Sequence, residues 1–149
     1  MKIISHRGNI RGRVPGRENS PSYIDCALGN GYDVEIDISE YDNELWLGHD
    51  RPQYKISWNW ISKRQNNLWI HCKNVEAAKR CQVFQSFCHS SDPYSYTSNG
   101  KIWLHDLEKT FDQSTIIPLL DWEMVDSFKT HIENEVPYGI CTDYPYMLP

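Results

Sequence analysis

Apolar residues occur in short runs broken by turn residues, and each run predicts an element. Lys2–Arg7 reads as a first strand around Ile3 and Ile4, and Asn9–Arg17, rich in Gly and Arg, as a loop. Pro21–Leu28 resembles a short helix, with Asn19 or Ser20 as its cap and Gly29 or Gly31 as its stop. Tyr32–Ser39 is the clearest strand, and Leu45–Gly48 comes after a turn at Asp42 and Asn43. Ser57–Gln65 predicts a helix with Trp58 and Ile61 inward. Leu68–Lys73 predicts a strand and Val75–Cys81 a short helix. Val83–Phe87, Lys101–Leu104, Thr115–Leu120 and Tyr138–Thr142 are further strand candidates. Strands alternating with short helical pieces predict one α/β domain over residues 1–149, with a largely parallel sheet.

The strand at Val34–Ile38 carries the first chemistry. Side chains alternate across a strand, so Val34, Ile36 and Ile38 share a covered face while Glu35 and Asp37 share the other. Two neighbouring carboxylates repel unless a cation sits between them, and carboxylate oxygens suit Mg²⁺, Mn²⁺ and Ca²⁺. A solvent-facing edge strand with two exposed acids is the alternative. His6 closes the first strand, ahead of a Gly-rich loop, where α/β proteins bind ligands. Arg7 offers a planar fork for phosphate oxygens. His49 ends another short strand, and Asp50 either orients it or caps the next segment. Two imidazoles beside a metal pair match the needs of phosphoryl transfer, one taking a proton and the other giving one. On Leu68–Lys73, His71 and Lys73 share a face; Lys73 can hold a phosphate oxygen, and His71 can ligate a metal or donate to substrate.

Composition sharpens this reading. Residues 1–17 hold five basic residues and no acid, whereas residues 18–50 hold nine acids and no Lys or Arg. A cation and a phosphate are expected to meet at such a junction. The net charge of −5 argues against duplex nucleic acid as a partner, which needs a broad basic surface. A small-molecule phosphodiester is the expected partner, and the sequence leaves the oligomeric state open. The five cysteines are odd in number and form no C-x-x-C pair, so a reduced, cytoplasmic setting is expected. No signal peptide is expected from residues 1–6, and no apolar stretch approaches the ~18 residues of a membrane span. With aromatics at 13% of the chain, a short sequence can still bury a substantial core, so disorder is not expected.

Taken in order, His6-Arg7-Gly8, Glu18-Asn19-Ser20, the stretch from Gly31 through Asp33 and Glu35 to Asp37, and His49-Asp50 resemble the glycerophosphodiester phosphodiesterase family. That family shows H-R-G, E-N-T or E-N-S, an acidic strand and an H-D pair in the same sequence. Gly139–Pro145 resembles its closing G-I-x-T-D-x-P strand. The likeness is dense over residues 4–50 and looser over Trp69–Asn74 and Gly139–Pro145. It implies a small TIM-type (β/α) barrel with shortened or missing helices. It also implies a divalent metal (Mg, Ca or Mn, with Zn possible) on Glu35 and Asp37, His6 and His49 as acid and base, Arg7 on phosphate, Glu18 in support, and Lys73 as the lysine of an E-x-K pair.

Two departures stand out. The metal-binding glutamate of E-x-K is His71 here, and an imidazole in its place disfavours Ca²⁺ relative to Mn²⁺ or Zn²⁺. The chain is also far below the ~250 residues of a typical barrel, so its middle and late βα units are trimmed. His89–Ser98 and Trp103–Asp106 fall in that region and are candidates to line the barrel mouth. The expected activity is hydrolysis of a small phosphodiester such as a glycerophosphodiester. Two alternatives remain: a lysophospholipid-directed, phospholipase D-like enzyme with apolar Tyr54, Trp58 and Trp60 at its mouth, and a non-catalytic module that sequesters a phosphorylated ligand or nucleotide.

Overall fold

Strand β1 (Lys2–His6) lies between two parallel neighbours, β2 (Asp33–Tyr41) and β10 (Gly139–Thr142), and the sheet grows from this centre. The computed structural model describes residues 1–105, 111–131 and 136–149; Asp106 lies outside them. Beyond β2, β5 (Leu68–Cys72) and β6 (Ser86–Phe87) add in parallel, and beyond β10 so do β9 (Thr115–Leu119) and β8 (Ile102–Leu104). Strands β3 (Glu44–Leu47), β4 (Tyr54–Ile56) and β7 (Tyr94–Tyr96) pair antiparallel.

The expected TIM-type barrel does not form. The chain builds a curled, mixed ten-stranded sheet, a half-barrel with four short α-helices among the described residues. The helices are α1 (Pro21–Gly29), α2 (Trp58–Ser62), α3 (Val75–Cys81) and α4 (Trp122–His131). The reason is chain length and turn chemistry. Eight complete βα units need ~250 residues, and here several strands lead into something other than a covering helix. Strand β2 folds back into β3 through Asp42 and Asn43, whose φ values of 53° and 64° suit a tight hairpin turn. The edges at β6 and β8 are not paired with each other; Ser98 bridges toward β6, its N–H donating to the Ser86 carbonyl at 2.8 Å.

Most predicted elements occur within a residue or two. Strand β4, strand β7 and helix α4 escaped the pattern reading, and the predicted helix Ser57–Gln65 shrinks to five residues, capped by the Ser57 side chain on the Trp60 N–H at 3.1 Å. Ile61 is buried as expected, but Trp58 is 39% exposed, packing its ring 4.8 Å from Phe84 at the surface.

Alternation on the strands sorts the core into layers. Val34, Ile36 and Ile38 face outward with Ile70 and Cys72, under Ile24 of α1 and Ala77 and Cys81 of α3. The concave face holds Ile4, Trp69, Phe87, Trp103, Ile116 and Cys141. Below this aromatic floor, Asp33 accepts from Lys2 at 3.0 Å, from Asn67 at 2.8 Å and from the Trp69 indole at 3.1 Å, so a buried carboxylate closes that end. Above the floor the concave face turns polar, and the predicted chemistry collects there.

Candidate active site

The carboxyl ends of four neighbouring parallel strands converge. Strand β1 brings His6, β2 brings Glu35 and Asp37, β5 brings His71, and Asp143 comes directly after β10. Strand register explains the grouping, because His6 lies beside Glu35 and Asp37 beside His71. The edge-strand alternative for the two acids is therefore excluded: Glu35 is 3% exposed and Asp37 fully buried.

Glu35, Asp37 and His71 each offer a ligand atom, all within 4.8 Å of one another. Glu35 Oε2, Asp37 Oδ1 and His71 Nε2 are buried without a hydrogen-bond partner. His71 Nδ1 lies 3.1 Å from Asp37 Oδ1, an ion-pair distance at which the alignment falls short of a hydrogen bond. Buried polar atoms are normally satisfied, so unpartnered oxygens on Glu35 and Asp37 within a group of three close ligand residues fit the binding of a cation. Two carboxylates and one imidazole form a donor set for Mn²⁺, Mg²⁺ or Zn²⁺. The His71 ring is fixed by stacking on Phe87, with centroids 4.9 Å apart and planes at 6°.

The protonation pattern agrees. Burial, then the neighbouring Asp37 charge, raises the Glu35 pKa to about 7. Burial opposes ionisation of Asp37 as well, but His71 and Arg7 overcome it and hold its pKa far below the carboxylate range. Two acids of one type are thereby split by their surroundings, one ionised and one near neutrality, as coupled carboxylates require. Burial lowers the pKa of His71 despite Asp37 beside it, which keeps the ring neutral and suited to ligation.

His6 stands at the edge of this cluster. Its Nδ1 donates to Asp143 Oδ1 at 2.8 Å, leaving Nε2 3.9 Å from Glu35 Oε2. Burial alone would lower its pKa, but the Asp143 bond and the Glu35 charge outweigh it and raise the value. The strand turns sharply after His6. Arg7 has φ 54° and Gly8 φ 88°, and a Cβ on Gly8 would lie 3.0 Å from the Tyr23 ring and 3.2 Å from its backbone carbon. This turn sends the Arg7 guanidinium back over the site, with Nε 3.0 Å from Asp37 Oδ2 and an Nη 3.3 Å from Glu18 Oε2. Lys73 Nζ approaches Asp37 Oδ1 at 3.7 Å.

Glu18 also accepts from Asn9 at 3.0 Å and Arg13 at 3.2 Å. Burial would raise its pKa, but these bonds and Arg7 lower it. Six of the eight predicted residues thus close around Asp37 and Glu35, and Glu18 joins them through Arg7. His49 stands apart. Its Nδ1 bonds Asp50 Oδ1 at 2.6 Å, its side chain is 37% exposed, and no hydrogen bond or ion pair among the described residues joins it to the acid cluster. It lines a cleft of about 430 Å³ together with Arg7, Glu18 and Arg51.

Three site residues were not assigned such roles from sequence. Asn19, read as a helix cap and as the middle of the E-N-S triplet, accepts from the Asp37 N–H at 2.9 Å and donates to Asp37 Oδ2 at 2.9 Å. Asn9 donates to both Glu18 and Asp143. Asp143 orients His6 from 137 residues away. The only cues were the E-N-S triplet and the T-D pair at a strand end.

Searches of protein-family models and of curated proteins find no match to this chain. No helix among the described residues is long and apolar enough to cross a membrane.

Proposed function

We propose that the chain is a metal-dependent phosphodiesterase acting on a small, soluble phosphodiester. The observation that carries this reading is the grouping of Glu35, Asp37 and His71 ligand atoms within 4.8 Å of one another, beside a His6–Asp143 pair. Glu35, Asp37 and His71 would hold the ion, which when bound supplies Lewis-acid stabilisation of charge on the phosphate. Arg7 and Lys73 flank the same spot and bind non-bridging phosphate oxygens, adding positive charge where it builds up in the transition state. Asp143 holds His6 with Nε2 toward the acids, so that this nitrogen moves the proton of the attacking or leaving oxygen. His49 lines the Arg7 cleft and is the candidate second imidazole in this reading, facing the substrate from that side.

Turnover of bis(4-nitrophenyl) phosphate with Mn²⁺, Mg²⁺ or Zn²⁺ tests the reading. His6→Ala should lose ~10²–10⁴-fold in rate. Equal activity in wild type and variant removes His6 from the mechanism, and no metal-dependent turnover in any condition removes the enzyme.

One observation favours a binding module as the second reading. Arg7 and Lys73 already lie 3.0 and 3.7 Å from Asp37, which partly neutralises the acids without an ion. Recovery of unchanged diester after long incubation with metal and measurable binding would select it. The lipid-directed alternative has less support: Tyr54 and Trp60 pack against the outer core and Trp58 against Phe84, and none of the three lines the clefts beside the site.

A further inference from the structure

Three arginines, Arg7, Arg13 and Arg51, line the cleft of about 430 Å³ beside the acid cluster. Arg7 belongs to both places, since its Nε is 3.0 Å from Asp37 Oδ2 and an Nη is 3.3 Å from Glu18 Oε2. The cleft therefore begins at a residue assigned to the phosphate of the diester. Arg13 holds Glu18 Oε1 through its Nε at 3.2 Å, and its two terminal nitrogens form no hydrogen bond among the described residues. Arg51 is exposed, and among the described residues its guanidinium forms no ion pair, hydrogen bond or ring contact. Both acids that line the cleft are already engaged, Glu18 by Asn9, Arg7 and Arg13, and Asp50 by His49 at 2.6 Å. The loop that presents Arg51 is tightly closed. The Gly48 N–H donates to the Asp37 carbonyl at 3.2 Å and the Gln53 N–H to the Leu47 carbonyl at 2.9 Å. Gly48 has φ 141°, and a Cβ there would collide with the Arg51 carbonyl oxygen.

Three guanidinium groups thus face two carboxylates that are already bonded, and two of the three keep donors to spare. A guanidinium is always charged and presents a planar fork that matches phosphate oxygens in pairs. The cleft lined by Lys73 holds no arginine, so the two clefts beside the site differ in what they accept. We propose that the arginine cleft is a second phosphate subsite, which takes a terminal phosphate monoester carried on one alcohol of the diester, with Arg51 and Arg13 as its free donors. The substrate class is then a phosphodiester that bears a further phosphate, an assignment that rests on the phosphodiesterase reading. This use absorbs the basic block of residues 1–17 beyond Arg7, which the metal site leaves without a role.

The test has a binding arm and a turnover arm. In the first, phenyl phosphate is titrated by calorimetry into the full chain with chelator present, where no catalysis is needed. Wild type should bind it, Arg51→Ala should weaken the Kd roughly tenfold, and Arg51→Lys should recover only part of the loss. In the second, thymidine 5′-(4-nitrophenyl phosphate) is compared, with Mn²⁺, to the same diester carrying a 3′-phosphate. The two substrates differ by that one group, and both release 4-nitrophenol. The ratio of their kcat/KM values should favour the 3′-phosphorylated compound roughly tenfold, and Arg51→Ala should bring that ratio close to one. The subsite is overturned by absence of phenyl phosphate binding to wild type, or by an Arg51→Ala Kd equal to that of wild type. Equal kcat/KM for the two compounds in active wild type overturns it as well, and leaves the phosphodiesterase reading standing. Binding of phenyl phosphate that Arg51→Ala weakens, without turnover of either compound, supports the phosphate subsite in a binding module and removes the enzyme.

Discussion

Replacing Glu35 by Gln removes a buried carboxylate whose pKa the folded protein raises. In the unfolded chain this group titrates near 4.5, and in the metal-free fold it titrates at about 7. Between those values the folded state keeps a proton that the unfolded state has lost, so the group's contribution to stability falls as pH rises through that window. A displacement of roughly 2.5 units at 1.36 kcal/mol each amounts to about 3 kcal/mol. Other groups titrate with the opposite sign, since burial lowers the pKa of His71 and also that of His105, to about 4. The difference between wild type and Glu35→Gln reports the carboxylate together with the smaller change it imposes on His6, whose pKa it raises. With chelator present, thermal unfolding from pH 5 to pH 8 should show the variant gaining about 3 kcal/mol on wild type. For a chain of this size that is about 6–12 °C in Tm. Adding Mn²⁺ at about 100 times its Kd should return about 2.7 kcal/mol to wild type at pH 8 and little to the variant. A pH-independent difference between the two proteins, or an equal metal-induced shift in both, would refute the assignment of Glu35 as a buried, cation-seeking ligand.

Three further substitutions probe the scaffold. Asn19→Ala strips a buried N–H and a buried carboxylate oxygen of Asp37 of one partner each, which should cost about 1–3 kcal/mol per group in urea unfolding, with metal affinity also reduced. Trp69→Ala empties the aromatic floor and removes one of the donors to Asp33, for a loss of about 3–5 kcal/mol by the same assay. Gly8→Ala should destabilise by about 1–3 kcal/mol, because φ is 88° and the new methyl meets Tyr23; a Tm equal to wild type would show that the loop absorbs it freely.

Local pattern was informative wherever one element acts alone. The alternation at Val34–Ile38 correctly put three aliphatic residues on one covered face and both acids on the other, because side-chain direction in a strand is set by backbone geometry. It could not say that the acid face is concave and buried, since that depends on the sheet curling over it. It could not place His49 either. A strand-end histidine points toward the cleft, but how far it reaches depends on the β2–β3 hairpin, and here Asp50 holds it at the rim. Helix α4 and strands β4 and β7 were missed because their apolar spacing is weak and their stability comes from neighbouring strands and core.

By itself the sequence determined which side chains face inward on each strand, where the chain turns after His6 and after Tyr41, and which acids, histidines and cations are at hand. Those features depend on contacts within a few residues. Only the tertiary structure decided that the sheet stops short of a closed barrel, and that Asp143 and Asn19 serve His6 and Asp37. Each of these depends on strand order and register, which arise from long-range packing and leave no trace in the spacing of residues along the chain.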